Sequence, residues 1–168
     1  MLEGWSEYYL LTGTAAASLI GLLFVVITLT TGRRRSTVLL GASLYMSPVL
    51  LHLAFVLVLS AAALAPIPTQ RGFGLVLLAI ALLGLGASVR VIVGLRKLSD
   101  PTPHWSDLWW YGAWPAVIYL TLAAASIAIH LSSHSGILAL AAGTIALLLI
   151  SIHNAWDLVI WTAPRPDE

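Results

Sequence analysis

A chain of 168 residues, 60% of them hydrophobic and only 9% charged, is excluded from the soluble globular class. Soluble domains carry about 25% charged residues, and in so short a chain the surface is too large relative to the core to hide this much apolar area. The net charge of +1 names no partner and no nucleic acid is expected, while the absence of cysteine excludes disulfides, thiolate chemistry and Cys-based metal sites.

The solvent for this chain is lipid, in keeping with a mean hydropathy of +0.96. A helix needs about 20 mostly apolar residues to cross roughly 30 Å of hydrocarbon. The first such segment is 8–31. It is too long for a signal-peptide core and its first basic residue is Arg33, so it is expected to be a retained helix. Gly13, Ala17 and Gly21, continuing to Phe24 and Thr28, form a small-residue seam suited to close helix contact.

The second segment, 38–64, aligns Gly41, Tyr45, Pro48, His52 and Leu59 on one stripe. Pro48 has no amide hydrogen, so it is expected to kink the helix and free the carbonyl of Leu44 near the mid-membrane His52. The third, 73–95, aligns Ala79, Leu83, Gly86, Arg90 and Gly94. The fourth, 108–131, aligns Tyr119, Ala123, Ser126 and His130. It is preceded by His104 to Trp110, read as a short interfacial helix capped by Ser106 or Asp107. The fifth, 136–161, carries Ala139, Ala142, Gly143 and Ala146 and continues to His153 and Asp157, with Asn154 beside them. Residues at three- and four-residue spacing share a helix face. The expected fold is therefore an all-α, single-domain membrane bundle of five helices, each turning one polar-and-small side inward. No internal repeat is visible and five helices do not halve, which argues against a single-chain inverted-repeat transporter.

Arg33, Arg34, Arg35, Arg96, Lys97 and Arg165 fall on one side of this topology and Arg71 alone on the other. By the positive-inside rule the N-terminus is expected outside and the C-terminus in the cytoplasm. Trp5, Tyr8 and Tyr9 mark one interface; Trp105, Trp109, Trp110, Trp156 and Trp161 mark the other.

The chemistry rests on a few polar residues that lipid tolerates poorly. Arg90 and Asp157 stand at matched depth and are expected to meet. His153, Asn154 and Asp157 form a candidate relay or hydrogen-bonded clamp, but a metal site needs at least three protein ligands and none is expected. His52, with Tyr45 and Tyr119, is the candidate for proton exchange, because an imidazole titrates near neutrality. Paired haem ligands need equal depth, which no two histidines of the chain share, so no cofactor is expected. The His-Glu-x-x-His, Gly-x-Ser-x-Gly and phosphate-loop signatures are absent, so an enzyme is the less favoured class. The Trp-x-Pro-Pro signature of the tryptophan-rich porphyrin-binding five-helix proteins is absent too.

The run Gly13-Thr14-Ala15-Ala16-Ala17-Ser18-Leu19-Ile20-Gly21-Leu22-Leu23-Phe24-Val25 and the run Ile152-His153-Asn154-Ala155-Trp156-Asp157-Leu158-Val159 resemble those of small bacterial inner-membrane proteins of uncharacterised function. The resemblance implies a bacterial inner membrane and no particular activity. The leading expectation is a homo-oligomeric channel or transport-type protein whose inward stripes hold His52, Tyr45, Tyr119, Ser126, His130, His153, Asn154, Asp157 and Arg90. The alternatives are a non-catalytic partner of another membrane protein, and a membrane-embedded enzyme or cofactor binder.

Overall fold

The computed structural model describes residues 4–30, 45–65, 69–97 and 104–162. They form α1 (Ser6–Thr30), α2 (Ser47–Leu64), α3 (Gln70–Lys97), α4 (Trp105–His130) and α5 (His134–Thr162). All five contain stretches long and apolar enough to cross a bilayer, so the chain is a multi-pass, all-α membrane protein. In hydrocarbon every backbone polar group must be satisfied within the protein, and helices do this segment by segment. The expected start of α2, residues 38–44, lies outside the described residues, and with it Gly41 and the Leu44 carbonyl.

α2, α3, α4 and α5 form a ring in that order, α5 closing on α2, and α1 lies outside the ring against α2 and α5. In the apolar window of α1 only 22% of residues are buried, against 56% in α5, so α5 is the most enclosed helix and α1 the peripheral one. Hydroxyls and small residues make the seams, as close packing in lipid requires. Thr12 and Ser60 bond across α1 and α2 at 3.0 Å, where Gly13 lies close against Ser60. The Tyr8 hydroxyl donates to the Ala141 carbonyl of α5 at 2.5 Å. The Ser126 hydroxyl of α4 donates to the Gly74 carbonyl of α3 at 2.8 Å.

The turn between α4 and α5 is tight. Ser132 takes φ 60°, and Ser133 N donates to Ala128 O while Ser132 N donates to Ile129 O, a pair of bonds that closes a helix C-terminus. Gly136 then passes so near the backbone of Ile129 that a Cβ there would lie 2.8 Å from its nitrogen. Gln70, at the start of α3, caps this corner by donating to the Ile129 carbonyl.

Two expected faces are turned. The α3 stripe of Ala79, Leu83, Gly86 and Arg90 is exposed; Leu77, Ile80, Ala81, Gly84, Ser88 and Val91 are buried instead. The physical reason is Gly84, which receives the Tyr119 ring of α4: a Cβ at Gly84 would overlap that ring. On α1 the seam splits. Gly13 is buried with Tyr9, Thr12, Ala16 and Leu23, whereas Ala17, Gly21, Phe24 and Thr28 face outward.

Candidate functional site

Six of the nine expected site residues collect in two places. In the bundle centre, α2 and α4 face each other diagonally across the ring. His52 Nδ1 lies 2.7 Å from the Tyr119 hydroxyl, and the Phe55 ring meets Tyr119 edge-on at 6.0 Å between centroids. Both members of the pair are fully enclosed, and His52 Nε2 has no hydrogen-bond partner among the described residues. One bond joins the two groups, donated by the phenol or by the imidazole according to tautomer. Whichever it is, one ring nitrogen is left buried and unmet, which costs about 1–3 kcal/mol.

The second cluster lies at the opposite end of the bundle from the α4–α5 turn, beside Arg96 and Lys97, and it grows out of an irregularity in α4. Residues Leu108–Ala113 wind as a π-helix, with Trp114 N donating to Trp109 O. In that ladder the next carbonyl, Trp110 O, looks to the amide of residue 115, which is Pro115 and has no hydrogen to give. Asn154 of α5, itself fully buried, supplies the missing donor: its Nδ2 lies 3.1 Å from Trp110 O. The Tyr111 hydroxyl returns a bond to the Asn154 carbonyl at 3.0 Å. Tyr111 meets Tyr45 edge-on at 5.0 Å, and Tyr45 donates to Asp107 at 3.1 Å. Gly112 presses on Ile92 of α3, where a Cβ would stand 2.5 Å from Ile92 Cγ1.

His153 stacks on Trp110 at 3.9 Å with planes 16° apart. Its Nδ1 is 3.3 Å from Asn154 Oδ1 and 3.6 Å from Asp157. The side chains of His153 and Asp157 are 38% and 48% exposed, so this corner opens at the bundle edge. Among the described residues no group of three or more His, Asp or Glu is arranged to hold a metal ion.

Thus Tyr45, His153, Asn154 and Asp157 come together, as do His52 and Tyr119. Ser126 belongs to the α3–α4 seam, and His130 is exposed at the end of α4. Arg90 is exposed on α3 and forms no ion pair with Asp157, because α3 turns the Gly84 face rather than the Gly86 and Arg90 face toward the core. The cap of the interfacial segment is His104, whose ring accepts from Ser106 N at 3.4 Å, and the segment runs on into α4 rather than standing apart. Asp107, Trp110 and Tyr111 were missed as site residues. The available signal was Pro115, whose absent amide hydrogen requires a donor for a carbonyl in the preceding turn.

The central pair lines neither of two surface grooves. One, of about 480 Å³, lies between α1 and α5 and is lined by Tyr8, Ala141, Ala142, Ile145, Ala146 and Leu149. The other, of about 140 Å³, lies at the α4–α5 turn beside Gln70 and His134. No family model matches the sequence, and no curated protein or solved structure matches it either.

Proposed function

We propose that the protein is a non-catalytic membrane component that assembles with a second copy of itself through the outer face of α1. The observation that carries this reading is a pair of hydroxyls. Thr28, Ser88, Thr121, Thr144 and Ser151 each donate to the carbonyl four residues earlier in their own helix, the usual way a helix hides a hydroxyl in lipid. Thr14 and Ser18, exposed near the middle of α1, make no such bond. They share a face with Gly21, beside which a Cβ would meet nothing within 4 Å. Small residues and hydroxyls at four-residue spacing are what a facing helix uses, and pairing α1 with its own copy satisfies both sets at once. The basic end is placed in the cytoplasm on the count of Lys and Arg.

The cysteine-free chain makes the test direct. Ala17→Cys in native membranes should form a disulfide-linked dimer on mild oxidation, and Leu120→Cys, exposed on α4, should not. Gly21→Leu should abolish the dimer. Equal cross-linking at both positions would overturn the reading.

Conduction is the second reading, supported by the unpaired Nε2 of His52. Against it, the polar groups close on one another in separate clusters. Proton flux into liposomes above the empty-liposome rate, lost in His52→Ala, would favour it.

A further inference from the structure

We propose that Leu108–Ala113 is a two-register hinge, latched in its π form by Asn154, that sets which face the interfacial segment from Trp105 to Trp110 presents at the basic end of the bundle. The argument starts from the backbone. A π-turn holds one residue more than the α-helix it interrupts. If that residue is wound back into an α-helix with the C-terminal part of α4 fixed, each position N-terminal to the turn is taken over by the next residue in sequence. The segment rotates by about 100° and advances by about 1.5 Å, the step of one residue.

In the α register Trp114 N serves Trp110 O, and one carbonyl, Tyr111 O, lacks its amide because Pro115 cannot donate. In the π register Trp114 N serves Trp109 O instead, and the winding leaves one carbonyl more without an amide, Trp110 O. The π form therefore depends on what stands opposite that carbonyl. In this structure that is Asn154, buried on α5 and bonded to Trp110 O. The Tyr111 hydroxyl on Asn154 O and the Tyr45 hydroxyl on Asp107 add two bonds that the same register requires. The latch residues outside α4 thus come from α5 and from Tyr45, two residues before α2, so a shift in either helix acts on the hinge.

The consequence is a one-residue change of face. In the π form Trp105 and Trp109 are exposed, while Ser106 and Trp110 are partly buried. In the α form Ser106 and Trp110 take the exposed places, Trp110 leaves the His153 ring and Asp107 leaves Tyr45.

The test is a single-cysteine scan of the full chain in membranes, with Trp105→Cys, Ser106→Cys, Trp109→Cys and Trp110→Cys, read by the labelling rate with an impermeant thiol reagent. With Asn154 intact, the cysteines at 105 and 109 should label faster than those at 106 and 110. Adding Asn154→Leu should reverse the order. Tyr111→Phe, which removes the hydroxyl bond to the Asn154 carbonyl while keeping Asn154, should move the pattern the same way and covers the case in which Asn154→Leu does not fold. Labelling rates unchanged in Tyr111→Phe overturn the proposal, as does an unchanged order in a folded Asn154→Leu.

Discussion

His52 Nδ1 and the Tyr119 hydroxyl stand 2.7 Å apart on two helices that face each other across the bundle, and they form its central polar contact. A single hydrogen bond therefore ties α2 to α4 in the buried interior, and its loss strands whichever partner remains. Tyr119→Phe should destabilise the protein by about 1–3 kcal/mol, the cost of an unsatisfied buried polar group. His52→Leu should cost a similar amount. The double variant should cost less than the sum of the two, because no polar group is then left alone. Thermal unfolding in detergent, followed by circular dichroism, measures all three, and strictly additive losses would mean that the bond contributes nothing.

The same ring fixes the choice of glycine on α3. Gly84→Ala would drive a methyl into Tyr119, and overpacking of this kind costs about 1–3 kcal/mol. Gly86→Ala, two residues on, meets nothing within 4 Å and should be neutral or stabilising by about 0.5–1 kcal/mol through the better helix propensity of alanine. The two variants differ by one methyl group each, so unfolding temperatures in the same detergent compare them directly. Equal behaviour would show that the Tyr119 ring does not occupy the Gly84 notch.

Orientation has its own test. An alkaline phosphatase reporter, active only outside the cytoplasm, should be inactive when fused after Glu168 and active when inserted between Pro66 and Gln70. The reverse pattern would place the basic end outside and move the His153 cluster to the other side of the bilayer.

Much of the architecture was legible residue by residue. The five spans expected from hydropathy end within three residues of the observed helices wherever those ends are described, because apolar length is a local property and a bilayer asks for little else. The inward placing of Pro48, His52, Tyr119 and Ser126 was legible as well, since a polar side chain in hydrocarbon turns toward protein. The α3 stripe was read on the wrong side. In water, leucines point in and charges out; in lipid both faces of a helix are apolar, so Leu83 against solvent and Leu77 against protein look alike. Small residues did not break the tie, because Gly84 and Gly86 lie on different faces and only the facing Tyr119 distinguishes them.

The sequence by itself determined the solvent, the number of crossings and the short set of polar residues that need partners, all of which follow from composition and spacing along the chain. Only the tertiary structure decided which partners they take. His52 meets Tyr119 rather than Tyr45, Asp107 rather than Arg90 shares the cluster near Asp157, and Asn154 serves a carbonyl that Pro115 leaves without a donor. These pairings depend on how far each helix is rotated about its own axis, and in a bilayer that rotation is set by side-chain packing between helices, which no single segment encodes.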